Sequence, residues 1–293
     1  MVIVNIIGGL GNQMFQYAFG YALARELKTD LVLDVTDFSG YSLHNGFELE
    51  KVFDIRNESA TDKQLRKVFG LGWRQRKRIV LSDRFHFHKF YSSIYKEKSH
   101  NFNSDVFDLK EGKYFHGYWQ TEKYFLKYAD EIKHKFSFLG EMNAVNKEIA
   151  NKISKENSVS LHVRRGDYIS DKKNHSIHGF CGLEYYQNAI NYIASNVKGP
   201  VFYVFSDDVS WVHKNLKLSF EVVYVDINSG DDSYRDMQLM SMCRHHIIAN
   251  SSFSWWGGWL GSNASKIVVS PKQWFVSENI DYSDVIPDTW VRI

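Results

Sequence analysis

Two adjacent arginines, Arg164 and Arg165, stand in the segment HVRRGDY at 162–168, directly after a strand-like apolar run. A guanidinium group is planar, stays charged at any working pH and donates paired hydrogen bonds that match a phosphate. Adjacent side chains point in different directions, so we expect one arginine to enter a ligand pocket and the other to brace the loop. An exposed ion pair with Asp167 is the alternative, and the arginines alone do not decide between the two.

A second polar group, Asn250, Ser251 and Ser252, ends a predicted strand within DMQLMSMCRHHIIANSSFSWWGGWLG at 236–261. A helix is predicted to follow, and hydroxyls and free N–H groups at a helix start suit a phosphate. The same hydroxyls suit helix capping, so both interpretations stay open. The methionines and tryptophans of this segment are more typical of a core.

The motif FSDD at 205–208 also follows a strand-like run. Asp207 or Asp208 is expected to cap the next helix, because an aspartate before a helix accepts bonds from its unpaired N–H groups. Binding of a sugar hydroxyl is the alternative role for these carboxylates.

Near the start of the chain, GGLGNQMFQYA at 8–18 forms a glycine-rich turn between a predicted strand and a predicted helix. Such a turn suits a phosphate or a sugar, because backbone N–H groups and the helix dipole converge there. Met14 replaces the third glycine of the dinucleotide-binding fingerprint, although Asp34 stands where that fingerprint carries its ribose-binding acid. Asn12 and Gln13, placed at the turn, favour a functional role.

The elements that must position these motifs follow from the apolar pattern. An apolar run at 2–7, a helical face between about Gln13 and Lys28 and a strand at 31–34 indicate a β-α-β unit. The alternation weakens from about 40 to 140 and becomes regular after about 145. Strands are then predicted at 159–163, 201–205, 221–225, 245–249 and 266–270. This rhythm predicts mostly parallel, doubly wound sheets, with ligands beyond the carboxyl ends of the strands.

Composition narrows the function classes. The 293 residues carry a net charge of +2, from 36 basic and 34 acidic side chains, which gives no reason to expect nucleic acid as a partner. Two cysteines and 12 histidines without ligand spacing predict no metal site. The opening MVIVNIIGGLGNQ lacks the features of a signal peptide, and no apolar run approaches about 20 residues, so a cytoplasmic protein without a membrane span is expected. The basic run WRQRKR at 73–78 suits peripheral contact with a membrane or an acceptor, although a solvated helix face is favoured.

Taken together, the four motifs resemble the α1,2-fucosyltransferases of glycosyltransferase family 11, which are related more distantly to α1,6- and protein O-fucosyltransferases. The motifs occur in the family's order and span nearly the whole chain. The region from about 40 to 145 contains no matching motif, and we expect it to shape the choice of acceptor.

The resemblance implies an α/β protein with two facing Rossmann-like domains in the GT-B style. Residues 1–145 would form an acceptor-side domain, and residues 146–293 would bind GDP-fucose, with the acceptor, a galactose-terminated glycan, across the cleft. The reaction would invert the fucose anomeric carbon and need neither metal nor cofactor.

The resemblance also implies a role for individual residues. Arg164 would contact the β-phosphate, and Arg165 belongs to the same site. His162 and Asp236 would help to hold guanosine, and Asn250, Ser251 and Ser252 would bind phosphate. Gly11 and Asn12 would approach the diphosphate or fucose. Asp167, Asp171 or a phosphate oxygen would accept the acceptor's proton.

Two other function classes use similar features. A glycan-binding lectin would use the aromatic residues, which make up 16% of the chain, but has no need of an arginine pair and a serine-rich helix start. A nicotinamide-dependent oxidoreductase would use the first β-α-β unit and Asp34, but the third glycine is missing. Binding of GDP, glycan or NAD distinguishes the three.

Overall fold

The computed structural model describes residues 1–39, 45–55, 58–75, 92–109, 112–165, 179, 181–276 and 280–293. The chain forms two compact units. The N-terminal unit contains Met1–Leu139 and Ser283–Val285, and the C-terminal unit contains Gly140–Tyr282 and Ile286–Ile293. The division after Leu139 precedes the change of rhythm near 145, and nothing in the pattern indicated that residues 283–285 return to the first unit.

The N-terminal unit is built on a parallel sheet of five strands in the order β3-β2-β1-β5-β4. The strands are β1 (Val2–Asn5), β2 (Leu31–Asp34), β3 (Glu58–Ser59), β4 (Ile94–Lys96) and β5 (Tyr114–His116). The α-helices are α1 (Leu10–Glu26), α2 (Leu49–Val52), α3 (Asp62–Phe69) and α4 (Ala129–Lys135). Short 3₁₀ helices cover Thr36–Phe38, Gly70–Gln75, Ser104–Asp108, Glu122–Tyr124 and Leu126–Tyr128.

The β-α-β unit at the start of the chain is confirmed. All four residues of β1 are buried, as expected for a parallel strand covered on both faces. Gly8, at φ 79°, makes the turn into α1, which begins at Leu10 rather than near Gln13. Farther along the helix, an added Cβ at Gly20 would lie 2.7 Å from Val4 Cγ2, so a glycine there lets α1 pack closely on the sheet.

The region that showed a weak pattern supplies three strands of this sheet, β3, β4 and β5. These strands have only two or three residues each, too short for alternation to be recognised in the sequence. Their addition turns a single β-α-β unit into a complete sheet.

The C-terminal unit is built on a parallel sheet of six strands in the order β11-β10-β9-β6-β7-β8. The strands are β6 (Asn157–Val163), β7 (Pro200–Ser206), β8 (Glu221–Val225), β9 (His245–Ile247), β10 (Val268–Ser270) and β11 (Val291–Arg292). The helices are α5 (Ala144–Lys155), α6 (Leu183–Asn196), α7 (Val209–Asn215), α8 (Tyr234–Met242) and α9 (Ser252–Leu260), with a 3₁₀ turn at Gly230–Asp232. All five predicted strands are present, and β11 was not predicted.

In each sheet one pair of neighbouring strands is not consecutive in the chain, β1 and β5 in the first sheet and β6 and β9 in the second, and we call each pair the switch point of its sheet. In doubly wound sheets the loops after the two strands at this switch point open a crevice in which ligands bind. We call the edge at which the strands' carboxyl ends lie the carboxyl edge. The predicted α/β class with two parallel sheets is confirmed. Within the described residues, no helix is long and apolar enough to cross a bilayer.

Candidate functional site

The switch point of the C-terminal sheet carries two of the predicted motifs. Strands β6 and β9 are direct neighbours, with Leu161 paired with Ile247. Arg164 therefore follows β6 at the same edge at which Ser251 follows β9. The parallel pairing brings together segments that are almost ninety residues apart in the chain.

Asp207, which follows the neighbouring strand β7, holds the arginine turn. Its Oδ2 lies 3.2 Å from Arg164 Nε, and its Oδ1 accepts a 2.8 Å hydrogen bond from the backbone N–H of Arg165. One carboxylate thus orients both the backbone and the first guanidinium of the motif. The arginine's described carboxylate partner is Asp207, whereas Asp167, the partner considered from sequence, lies outside the described residues.

Arg165 is packed against helix α7. Its Cζ lies 3.5 Å from the centroid of the Trp211 ring, a cation–π stack, and its Nε lies 3.9 Å from Asp208 Oδ2. The Arg165 side chain is 14% exposed, against 28% for Arg164. These contacts are those of a residue that braces the loop, and they leave Arg164 as the better candidate for a ligand.

Asp208 performs the predicted capping. Its Oδ1 accepts a 3.0 Å bond from the backbone N–H of Trp211 in the first turn of α7. Capping is confirmed for this residue, and it fixes the helix on which Arg165 stacks.

His162 lies near the end of β6 and is buried. Burial, assisted by the positive charge of Arg164, lowers the pKa of its imidazole to about 3. The ring is therefore neutral near pH 7. Its Nδ1 is buried and has no hydrogen-bond partner among the residues that the structure describes.

The start of helix α9 presents two serine hydroxyls. Ser251 occupies the N-cap position, but its side chain makes no capping hydrogen bond. Ser251 and Ser252 are both partly exposed. At the other end, Lys266 Nζ donates to the carbonyls of Gly258, Trp259 and Gly261 at 2.8, 3.0 and 2.8 Å. The capping interpretation is wrong for Ser251, and the dipole of α9 is complemented at its C-terminus.

The residues around this helix start are structural. Asn250 is buried, donates to the Trp274 carbonyl at 3.3 Å and accepts from Cys181 Sγ at 3.5 Å, so its side chain braces the loop. The tryptophans at 255, 256 and 259 are buried, as are the methionines at 237 and 240, which confirms their core role. Met242 is 42% exposed, so that interpretation is wrong for it.

Asp236 lies in the first turn of α8. Its Oδ1 accepts a 2.8 Å hydrogen bond from Asn228. The Asn228 side chain is itself held by two hydrogen bonds with the side-chain amide of Asn146. Burial raises the pKa of Asp236 to about 7, and the bond from Asn228 offsets part of this rise. The carboxyl therefore changes charge near neutral pH.

The switch point of the N-terminal sheet is lined by amides. Gly11 is buried within α1, and Asn12 Oδ1 accepts a 2.8 Å bond from Gln120 Nε2, after β5. Gln13 is buried and donates to the carbonyls of Gly8 and Gly46 at 2.9 and 2.8 Å. Its side chain braces the turn, so the functional role suggested for Gln13 is wrong.

Asp34 is not placed to bind a ribose. It is buried, with Oδ1 accepting from the Thr36 hydroxyl at 2.5 Å and Oδ2 from the Tyr114 hydroxyl at 2.8 Å. Both oxygens serve internal bonds at the end of β2, which removes the residue on which the oxidoreductase interpretation depended.

Sequence reasoning missed the side chains that hold these loops, namely Asp207 as an anchor, Trp211 and Gln120. Only the position of Asp207 directly after a strand gave a signal. Asp167 and Asp171, the candidate bases, lie outside the described residues. Within the described ranges, no cluster of three or more histidine, cysteine, aspartate or glutamate side chains could hold a metal ion.

The family model for glycosyl transferase family 11 matches residues 65–293. An α-1,2-colitosyltransferase of Escherichia coli is 36% identical over 298 residues, covering 100% of this chain and 99% of that protein. A galactoside α-(1,2)-fucosyltransferase 2 of Rattus norvegicus is 24% identical, covering 89% of this chain and 67% of that protein.

Among solved structures, the α-1,6-fucosyltransferase NodZ from Bradyrhizobium, soaked with GDP-fucose, has a similar fold. The TM-score is 0.55 at 15% identity, covering 88% of this chain and 92% of that one. At this identity the likeness concerns the fold alone. The family match and the full-length relative establish the family: the chain belongs to glycosyl transferase family 11.

Proposed function

We propose that this enzyme transfers fucose from GDP-fucose to the 2-hydroxyl of a terminal β-galactoside, with inversion at the anomeric carbon and without a metal. One observation carries the proposal. At the switch point of the C-terminal sheet, Arg164 follows β6 and is held by Asp207. Ser251, whose hydroxyl makes no capping hydrogen bond, stands at the helix start that follows β9. This pairing suits a diphosphate.

The chemistry requires charge stabilisation at the leaving group. Breaking the glycosidic bond builds positive charge on the sugar and negative charge on the departing diphosphate. Arg164 acts on the β-phosphate, while Ser251 and Ser252 donate to phosphate oxygens at the positive end of the α9 dipole. Asp207 holds the Arg164 guanidinium before the charge develops, so little reorganisation is needed during reaction.

The guanosine is held by His162 and Asp236. The neutral imidazole of His162 is able to donate or accept a hydrogen bond, and the Asp236 carboxylate accepts bonds from N–H groups. Arg165 and Asn250 support the phosphate site through the braced loops rather than by touching the donor.

On the acceptor side, we assign the galactoside to the N-terminal unit, whose switch point carries amides in place of cations. For Gly11 and Asn12 we propose the second of the two expected contacts, the fucose rather than the diphosphate, because the proposed phosphate-binding residues lie in the C-terminal unit. The acceptor hydroxyl must lose its proton, and Asp167 or a phosphate oxygen receives it.

A second donor is supported by one comparison. The full-length relative at 36% identity is named an α-1,2-colitosyltransferase, so colitose is the alternative sugar. The four motifs in the order of α1,2-fucosyltransferases favour fucose.

Product analysis tests the proposal. The purified chain is incubated with GDP-fucose or GDP-colitose and a panel of galactose-terminated acceptors, with and without EDTA. We expect an α1,2-fucosylated product by mass spectrometry and linkage analysis, formed equally in EDTA. Transfer of colitose alone would identify the second donor, and loss of activity in EDTA restored by Mg²⁺ would contradict the metal-free mechanism.

Thermal unfolding provides an independent readout. GDP is expected to raise the melting temperature by mass action, whereas NAD and free glycan leave it unchanged. A shift with NAD and none with GDP would overturn the proposed donor site.

A further inference from the structure

The loop after β5, residues 117–120, is held by a carboxylate from the neighbouring strand. Glu97 directly follows β4, and its two oxygens accept the backbone N–H groups of Tyr118 at 2.6 Å and Trp119 at 2.9 Å. Burial raises the pKa of the Glu97 carboxyl to about 7, and the two backbone hydrogen bonds offset part of this rise because they favour the charged form. Glu97 thus fixes two consecutive peptide units at the carboxyl edge of the N-terminal sheet.

The loop is shaped around this carboxylate. A Cβ added at Gly117 would lie 2.4 Å from Glu97 Cβ, so a side chain at 117 would displace Glu97 or the loop. Trp119 adopts a left-handed backbone, φ 57°, which is strained for a bulky residue. Its ring stacks on Phe19 with centroids 3.8 Å apart, and its backbone N–H bond to Glu97 helps to hold this conformation.

The held loop carries Gln120 to the switch point. Gln120 Nε2 donates to Asn12 Oδ1 at 2.8 Å, joining the loops after β5 and β1. Gln120 is 7% exposed, and its Oε1 has no hydrogen-bond partner among the described residues. Buried polar atoms are normally satisfied, so this acceptor indicates a water or a ligand hydroxyl that belongs beside it.

An exposed aromatic ring stands two residues before this amide in the chain. Tyr118 is 39% exposed and follows Gly117 at the sheet edge. Sugars present both hydroxyls and an apolar ring face, and the combination of an amide and an exposed aromatic side chain suits them.

We propose that Glu97 is a positioning residue that holds the 117–120 loop so that Gln120 and Tyr118 contact the acceptor sugar. The inference rests on the proposed function, since it assumes that the acceptor is a pyranoside bound by the N-terminal unit. Glu97 itself acts through the loop and touches no substrate.

Steady-state kinetics of Glu97→Ala and Glu97→Gln test the proposal, with GDP-fucose and the acceptor varied separately. The alanine variant loses both carboxylate oxygens that accept hydrogen bonds from the loop. We therefore expect the KM for the acceptor sugar to rise about tenfold or more. The glutamine variant keeps one carbonyl acceptor and should lie between alanine and wild type. The KM for GDP-fucose should stay within about twofold, because the proposed diphosphate and guanosine contacts lie in the C-terminal unit.

Glu131→Gln is the matched control. Glu131 is another glutamate of the N-terminal unit and accepts a 2.6 Å bond from the Tyr21 hydroxyl in α1 rather than from the loop. Its substitution should leave both KM values unchanged. In a double-mutant cycle, the single change Gln120→Ala should raise the KM for the acceptor sugar but not the KM for GDP-fucose. Added to Glu97→Ala, it should raise the acceptor KM little further, because both changes remove the contact between Gln120 and the sugar.

The outcomes separate the claims. If wild-type protein transfers no sugar from GDP-fucose, the proposed function fails. If wild type is active and Glu97→Ala melts near the wild-type temperature with an unchanged acceptor KM, the positioning role is overturned. It is also overturned if neither Glu97 variant folds, or if both KM values rise together, since either result assigns Glu97 to general stability.

Discussion

The two carboxyl edges of this protein share a construction and differ in chemistry. In each unit one strand of the switch point has a further neighbour, and a carboxylate directly follows that neighbour. This carboxylate accepts hydrogen bonds from backbone N–H groups of the loop at the switch point. Asp207, after β7, holds Arg165, and Glu97, after β4, holds Tyr118 and Trp119. Neighbouring parallel strands end at the same edge, about 5 Å apart, so a short acidic side chain reaches the next loop.

The held loops present different groups. The C-terminal loop carries a guanidinium opposite a serine-rich helix start, whereas the N-terminal loop carries an amide and a phenol. Charged donors bind a diphosphate, and neutral groups bind hydroxyls without a large desolvation cost. The two edges therefore share a way of holding a loop, and the side chains on that loop set the chemical class of ligand that it suits.

The largest expected effect is on Arg164. If its guanidinium stabilises the leaving group, Arg164→Ala should lower kcat by about 10² to 10³-fold, the scale for loss of one preorganised donor. Arg164→Lys should rescue poorly, because lysine lacks the planar two-pronged geometry. Stopped assays at saturating substrates measure the change.

Arg165→Ala is the control for this prediction. Removing the stack on Trp211 should lower the melting temperature and affect kcat less than the change at Arg164. A folded Arg164→Ala protein with near-normal turnover would remove Arg164 from the mechanism and break the contrast between the two edges.

A smaller, pH-dependent effect is expected at Asp236. Burial raises the pKa of Asp236 to about 7, so the carboxylate that we propose as the acceptor for guanine is lost as the pH falls through this value. At pH 6 only about a tenth of the free enzyme carries the ionised carboxylate, so the KM for GDP-fucose should be about tenfold higher than at pH 8. His162 stays neutral throughout because its pKa is about 3, so it contributes no pH dependence.

Asp236→Asn provides the control, since the amide has no charge to lose. Its KM for the donor should be flat between pH 6 and 8, with the acceptor KM unaffected. A flat profile for wild type over the same range would rule out ionised Asp236 as a guanine contact.

The smallest expected effect concerns Ser251. Its hydroxyl caps no backbone N–H, so Ser251→Ala should cost little stability. If the hydroxyl donates to phosphate, GDP affinity should fall by about three- to tenfold in isothermal titration. Gln120→Ala, at the other edge, should leave GDP affinity unchanged. Equal losses from both variants would erase the proposed difference between the two units.

Local sequence pattern was enough to predict the α/β fold class and the positions of the four motifs. Apolar runs such as β1 and β6 are long or continuous enough for local pattern to reveal them, and each motif directly follows one. The arginine pair and the serine-rich helix start predicted a phosphate site, although the sequence left an ion pair and helix capping open as alternatives. The order of the motifs predicted the family, which the comparisons confirm.

The ion-pair, stacking and hydrogen-bond partners of these residues depend on the tertiary structure and could not be read from the motifs. Arg164 pairs with Asp207 and Arg165 stacks on Trp211, both through contacts that depend on the pairing of β6 with β7. Strands of two or three residues, such as β3 and β5, leave no periodic signal, so the partners that they bring together were invisible. Glu97 is the clearest case: its role exists only because β4 pairs with β5, and that pairing is a property of the whole sheet.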